Sequence, residues 1–405
     1  MPKRILIVDD DPAIGSFIEL IVRREGYEVK LVESAINLES VVGEFTPALI
    51  ISDLMMPGRD GISLCRSLKS NPQTSGIQIL LLSAKSFDSD KRAALSAGAA
   101  AYLVKPIRVP ELINAIKTAL ATDVEVKVWG CRGSIPTPER IDTKYGNNTP
   151  CISVDVPGHG LLIFDAGTGF RLLGHSLAKS SLRRLSLFLT HFHWDHIFGL
   201  PFFAPFYMPG NEIHIYAPAD STDALTEKIE KQMGGDYFPV SIEAFRAAVK
   251  FHALHQEKME VEGVTLSTLY AFHPGTTLIY RLDIGDHSLV YAPDNEILPE
   301  SVEPEVSGEA LKFAQFAAGA SLLIHDCTYS RPQYDARRGW GHTCGAMLAA
   351  VAKQANVKRV LLFHHDPDNS DQQVEAIHQE FKDTLAKSGA DIPCEAASEG
   401  KTYTL

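Results

Sequence analysis

The first 158 residues contain no histidine, although the chain of 405 residues has 15. All of them lie between His159 and His378, so imidazole chemistry is confined to the later part of the chain. Long apolar runs are missing as well. None approaches the roughly 20 residues that span a bilayer, and after Lys3 and Arg4 only Ile5 to Val8 precedes the first acids. Neither a signal peptide nor a membrane anchor is expected. The six cysteines (Cys65, Cys131, Cys151, Cys327, Cys344 and Cys394) form no C-x-x-C pair, which fits reduced thiols and a cytoplasmic location better than a disulfide framework. A basic excess is absent too. Residues 1–122 carry 14 basic and 14 acidic side chains, so the net charge of -12 falls on residues 123–405. A polyanion-binding surface is therefore not expected on that second part.

What is present suffices for two or three domains with their own cores, since 45% of the residues are apolar and 22% charged. Strand-like runs Arg4 to Val8, Ala48 to Asp53, Ile79 to Ser83 and Ala101 to Val104 alternate with amphipathic stretches, which implies a doubly wound parallel sheet. A helix over Pro110 to Leu120 closes that domain, and alternating strand pattern begins at Asp123 to Trp129. The division is drawn at residues 1–121 and 122–405. The short linker, Ala121 to Asp123, has no flexible spacer and should restrict the geometry of the two parts.

The second part reads as many strands and few helices. Strands are expected at Cys151 to Val156, Gly160 to Asp165, Leu185 to Thr190, Glu212 to Ala217, Val264 to Phe272, Thr277 to Ile284, Ser288 to Ala292, Ser321 to Asp326 and Arg359 to Phe363. Helical pattern is clearest at Ser221 to Gln232, Gly345 to Ala355 and Gln372 to Ser388, while Pro201 to Pro209 looks like a loop. Gly167-Thr168-Gly169 with Gly174 has spacing unsuited to a dinucleotide loop.

In the first part, Asp9 and Asp10 follow one strand and Asp53 another, and parallel topology brings such strand ends to one edge. Three carboxylates there repel one another unless a hard cation intervenes; Mg²⁺ takes oxygen ligands and keeps waters that phosphate can displace. Ser83 and Lys105-Pro106 supply a hydroxyl and an ammonium from the same edge. Taken singly, each acid is as well explained by a solvated strand end, and Tyr102 by a half-buried edge position. Together, Val8-Asp9-Asp10, Asp53-Leu54-Met55-Met56-Pro57-Gly58, Leu82-Ser83-Ala84 and Lys105-Pro106 occur in an order that resembles the receiver domain of response regulators. The resemblance implies a flavodoxin-like fold, Asp53 as phosphoacceptor, Asp9 and Asp10 as Mg²⁺ ligands beside it, Ser83 and Lys105 as phosphate sensors and Tyr102 as the switch aromatic. It also implies a cis bond before Pro106 and a sensor histidine kinase as partner.

In the second part, one apolar strand runs into four potential metal ligands within six residues, His191, His193, Asp195 and His196. Imidazole and carboxylate suit zinc, manganese or iron. His273, Asp294 and His364 sit at further strand ends. The H-x-H-x-D-H signature resembles the metallo-β-lactamase superfamily, which implies an αββα fold. Carried over, His191, His193 and His273 would hold one ion, Asp195, His196 and His364 the other, and Asp294 would bridge them, with zinc the foremost candidate. His365 is the competing claimant for the last position. Asp165 is expected to order the ligand loop rather than bind metal.

Leu322 to Tyr329 and Gly339-Trp340-Gly341-His342-Thr343, with Trp129 to Pro136 and Tyr145 to Thr149, resemble the phosphodiesterase branch of that superfamily. The likeness implies that Asp326 orients His342, which protonates the departing oxygen. Asp326 stands where the branch more often has Glu. His214, His252, His255, His287 and His325 are expected to be packed or capping residues. Phe202, Phe203, Phe206, Tyr207, Tyr237 and Phe238 could wall a pocket that stacks a base or could be core. The resulting expectation is a response regulator whose output is a dinuclear phosphodiesterase of 3′,5′-cyclic nucleotides, controlled through Asp53, working as a homodimer without membrane or nucleic-acid partners. The rivals are a tRNA 3′-processing-type nuclease, another ester hydrolase of the same fold, and a non-catalytic module.

Overall fold

The computed structural model describes residues 3–36, 38–56, 58–84, 87–120, 124–157, 159–178, 184–235, 237–303 and 305–405. The expected linker Ala121 to Asp123 and Pro57 of the receiver-like motif lie outside the described residues. The chain forms two compact units, Met1–Asp123 and Val124–Leu405.

In the first unit, β1 (Arg4–Val8), β2 (Glu28–Val32), β3 (Leu49–Asp53), β4 (Gln78–Ser83) and β5 (Ala101–Val104) form an all-parallel sheet in the order β2-β1-β3-β4-β5. Near-continuous apolar strands such as Leu49-Ile50-Ile51 are buried on both faces, as a sheet covered by helices on each side requires. Ile5, Ile7 and Ile51 pack with Ile18 and Leu112, while Leu6, Val8 and Ile50 pack with Leu38 and Leu64.

The second unit contains β6 (Glu125–Gly130), β7 (Cys151–Asp155), β8 (Leu161–Phe164), β9 (Arg184–Phe188), β10 (Glu212–Pro218) and β11 (Ala248–Leu254). There follow β12 (Lys258–Val261), β13 (Val264–Tyr270), β14 (Leu278–Ile284), β15 (His287–Ala292), β16 (Leu322–Asp326), β17 (Val360–Phe363), β18 (Cys394–Ala396) and β19 (Thr402–Thr404). They make two seven-stranded sheets, β11-β10-β9-β8-β7-β6-β19 and β12 to β18 in sequence order.

The pleat explains the four layers. In β8, Leu162 and Phe164 face the core between the sheets, where they meet Tyr280 and Tyr291, while Leu161 and Ile163 face the helices. Helices Thr168–Leu177 and Thr222–Met233 cover the outer face of the first sheet. Helices Gly308–Phe316, Gly345–Ala355 and Asp371–Lys387 cover the second. This is the expected αββα arrangement.

Several local readings change. Helical content exceeds expectation, because Gly167-Thr168-Gly169 opens the helix Thr168–Leu177, which is not among the expected helices. A side chain at Gly169 would lie 2.5 Å from the Trp129 carbonyl oxygen, so its lack of one lets that helix meet β6. Two 3₁₀ turns, Leu200–Phe202 and Ala204–Tyr207, occupy the expected loop at Pro201 to Pro209. Strand β9 ends at Phe188, two residues before the expected Thr190. No helix among the described residues is long and apolar enough to cross a membrane, and all six cysteines are free thiols.

Candidate metal centre and its surroundings

The strands deliver the site. β15, β16 and β17 are parallel neighbours, so their carboxyl ends place Asp294, Asp326 and His364 at one edge. Beyond β9, the segment from Leu189 carries His191 to His196 to the same place. The ligand atoms of His191, His193 and His273 lie within 4.8 Å of one another, as do those of Asp195, His196 and His364. Asp294 forms a third such group with His191 and His196. All seven residues singled out in the sequence are therefore brought together.

His191 Nε2, His196 Nε2 and Asp294 Oδ2 are buried without a hydrogen-bond partner among the described residues. His196 Nε2 and Asp294 Oδ2 are 2.9 Å apart but are not aligned to bond. Unsatisfied buried polar atoms are costly, and three converging on one spot are what a bound divalent ion would satisfy. The donor set fits such ions.

The opposite ring nitrogens fix the tautomers. His196 Nδ1 lies 2.8 Å from Asp165 Oδ2, and His273 Nδ1 lies 2.9 Å from the Gly341 carbonyl oxygen. Each partner accepts, so each Nδ1 donates and Nε2 keeps its lone pair for the site. Asp165 also accepts from the Thr190 amide at 2.8 Å and the Tyr291 hydroxyl at 3.0 Å. It thus bonds the candidate ligand His196 directly and the Thr190 amide just before His191. Asp165 (φ 59°) and His364 (φ 58°) are non-glycine residues in the left-handed region, backbone strain located at the site. A side chain at Gly133 would lie 2.3 Å from the His364 ring, so that position must stay bare.

Charges are mutually compensated. Burial would raise Asp294, but His364 and His196 hold its carboxyl well below the usual range. Burial drives His191 well down, with His196 adding to the effect, which keeps it neutral and able to ligate. Burial would lower His342, but Asp326 outweighs it and the imidazole is pushed up to about 9. His342 Nδ1 lies 2.8 Å from Asp326 Oδ2 and 3.5 Å from Asp294 Oδ1. Asp326 is held in turn by the Thr328 amide at 2.9 Å and hydroxyl at 2.7 Å.

His365 points elsewhere. It is buried, its Nε2 lies 2.9 Å from the Ala397 carbonyl oxygen, and its ring packs on Tyr145. His325 is buried, bonded to the Asp326 carbonyl oxygen and facing Asn295, and His214 stacks on His252. The aromatic wall is divided. Phe203 and Phe206 belong to the core, with Phe203 stacked on Phe170 at 3.8 Å, whereas Phe202 and Tyr237 are exposed and Phe202 meets Phe238 edge to face.

Sequence reasoning missed Asn295 and Glu296. Asn295 accepts from the Phe272 amide at 3.0 Å, fixing the approach to His273. Buried Glu296 accepts from the amides of Gly339 and Gly341 at 2.9 Å each and from the Tyr334 hydroxyl at 2.9 Å, fixing the loop that carries His342. The only signal was their adjacency to Asp294. Arg132 was missed too; fully buried, it donates to the carbonyl oxygens of Gly146 at 2.9 Å and Asn369 at 3.1 Å, tying the first loop to the segment after His364.

In the first unit, Lys105 Nζ lies 3.0 Å from Asp9 Oδ2 and 3.2 Å from Asp53 Oδ2. Burial raises the Asp53 carboxyl against the pull of Lys105. Asp9 and Ser83 are buried, Asp10 is exposed, Tyr102 is buried rather than half-exposed, and the bond before Pro106 is cis.

A family model of the response regulator receiver domain matches residues 5–117, and one of the beta-lactamase superfamily domain matches residues 161–365. The DNA-binding response regulator MtrA of Mycolicibacterium smegmatis is 35% identical over 120 residues, 30% of this chain and 51% of that protein. The DNA-binding dual master transcriptional regulator RpaA of Synechocystis is 35% identical over 117 residues, 29% of this chain and 48% of that protein. The chain spans about half the length of the curated relatives it matches. Among solved structures, the metallo-beta-lactamase fold protein YhfI from Bacillus subtilis is similar in fold, with a TM-score of 0.51 at 22% identity, covering 70% of this chain and 100% of that one.

Proposed function

The chain belongs to the beta-lactamase superfamily and carries a response regulator receiver domain ahead of that fold, and from this premise we propose that it is a metal-dependent phosphodiesterase of 3′,5′-cyclic nucleotides controlled by phosphorylation. The observation that carries the reading is the His342–Asp326 pair, 2.8 Å apart, set against the cluster of histidines and aspartates.

In this reading His191, His193 and His273 would hold one divalent ion and Asp195, His196 and His364 the other, with Asp294 within reach of both groups. Two such ions, zinc foremost with manganese or iron as alternatives, supply Lewis acidity toward a phosphoryl oxygen and a lowered pKa for water. The remaining work falls to the chain's own groups. Asp326 accepts from Nδ1 of His342 and so fixes the ring with Nε2 toward the substrate. His342 passes the proton on Nε2 to the departing ribose oxygen, which otherwise leaves as a strongly basic alkoxide. Thr328 keeps Asp326 in line, and Asp165 keeps His196 in line. The exposed rings of Phe202 and Tyr237, with the half-buried Phe238 beside Phe202, offer faces for a base to stack on.

For the receiver, Asp53 takes the phosphoryl group from a sensor histidine kinase, and Asp9, Asp10 and Asp53 would hold the Mg²⁺ that shields the incoming charge. Ser83 and Lys105 then bind its oxygens, and Tyr102 repacks its face of the domain. The protein acts as a homodimer in the cytoplasm.

The test is turnover by metal-analysed protein on 3′,5′-cyclic, 2′,3′-cyclic and cyclic dinucleotide substrates beside a thioester and a lactam. Phosphodiester cleavage is expected. Turnover of the thioester or lactam alone contradicts the reading.

A further inference from the structure

Three arginines lie between Asp326 and His342, and two of them have acidic partners. Arg331 meets Asp335 at 3.1 Å, and Arg338 pairs with Glu300. Arg337 has none: among the described residues no carboxylate lies within ion-pair distance of it. Its guanidinium carbon stands 5.3 Å from the Tyr329 ring centre and 5.9 Å from that of Trp340. Among the described residues its side chain makes one hydrogen bond, a long one of 3.5 Å to the Gln333 carbonyl oxygen.

The half-buried cation is therefore held by two aromatic rings while most of its five N–H donors have no partner among the described residues. Stacking limits its motion, so little further order is lost when it meets a planar or tetrahedral oxyanion. Its surroundings belong to the site. The Tyr329 ring stands edge-on to His342 with centres 5.9 Å apart, and Trp340 precedes Gly341, whose carbonyl oxygen holds His273. Trp340 is 61% exposed, next to the cation.

A free cation is pointed in a part of the chain that carries the whole net charge of -12. Resting on the phosphodiesterase reading above, we infer that Arg337 is a specificity-determining residue that binds a second phosphate of the substrate, beyond the phosphodiester being cut. Arg337 is attached to the loop of His342, the proton donor to the departing oxygen. The phosphate it meets therefore belongs to the departing side. Cyclic dinucleotides have this chemistry, since cutting one diester frees an alcohol that still carries the other phosphate. Cyclic mononucleotides do not.

The test compares the wild-type, Arg337→Gln and Arg337→Lys holoproteins on a cyclic dinucleotide, a 3′,5′-cyclic mononucleotide and bis(p-nitrophenyl) phosphate. Arg337→Gln should raise KM for the cyclic dinucleotide about 10- to 100-fold, the worth of a charge-assisted hydrogen bond, with kcat nearly unchanged. KM for the other two should stay within about twofold, and Arg337→Lys should fall between. Equal losses on all three substrates, or none on the dinucleotide, overturn the inference. Failure of the wild type on all three refutes the phosphodiesterase reading instead. Equilibrium binding of the cyclic dinucleotide then still decides: weakening by Arg337→Gln supports the phosphate site, and equal or absent binding rejects it.

Discussion

The carboxylate of Asp326 lies 2.8 Å from Nδ1 of His342, and its other oxygen accepts from both the amide and the hydroxyl of Thr328. An acid so anchored sets the tautomer of the histidine it faces and stabilises its protonated form. Asp326→Asn keeps the shape but removes that charge. We expect kcat on a cyclic nucleotide to fall about 10²-fold with KM within about threefold, because only the transition state uses the proton. A matching rise in KM would mean that Asp326 binds substrate.

His364 and His365 are adjacent but face different surroundings. His364→Ala should lose about one metal ion per chain by elemental analysis, since a buried ligand disappears. His365→Ala should keep the metal content and instead lower stability by about 1 to 3 kcal/mol, since the buried Ala397 carbonyl oxygen then keeps only the weak Cys131 thiol as donor and the packing on Tyr145 is lost. Equal metal loss in both variants contradicts the assignment.

Glu296 holds Gly339, Gly341 and Tyr334 at once. Removing it leaves three donors without their acceptor, so Glu296→Ala should destabilise the protein by about 2 to 4 kcal/mol in denaturant unfolding. It should also lower kcat, because the loop carrying His342 and the carbonyl oxygen holding His273 both lose their support. Unchanged kcat in the folded variant would show the loop to be held by other contacts.

The contrast between Asp294 and Glu296 shows what the sequence made legible. Asp294 stood out because an acid at a strand end, read beside six other ligands, matches a known donor pattern. Glu296, two residues on, has no pattern of its own; its role arises from backbone amides 43 and 45 residues away. Arg132 stayed hidden for a similar reason, as arginine is usually a surface residue and its burial depends on carbonyl oxygens far along the chain. Strands were legible from their apolar runs, and β9 fell short of Thr190 because the chain turns there to satisfy Asp165. The helix at Thr168–Leu177 was obscured by glycines that serve close packing rather than a loop. Phe203 and Phe202 were indistinguishable in sequence, yet one is core and the other exposed.

In the receiver, Lys105 lies between Asp9 and Asp53. A low-molecular-weight phosphodonor with Mg²⁺ should label the wild type and fail to label Asp53→Ala. Labelling should change hydrolytic kcat/KM about fivefold or more, the low end of ordinary coupling between sites. Equal kinetics in the labelled and unlabelled protein would remove the regulatory claim.

The most direct measurement is the leaving-group dependence of His342→Ala. A ribose alkoxide needs a proton as it departs, whereas p-nitrophenolate leaves readily without one. The variant should lose about 10² to 10⁴ in kcat on a 3′,5′-cyclic nucleotide and less than about tenfold on bis(p-nitrophenyl) phosphate. Equal losses on the two substrates would contradict the role of His342 as proton donor, and with it the observation on which the phosphodiesterase reading rests.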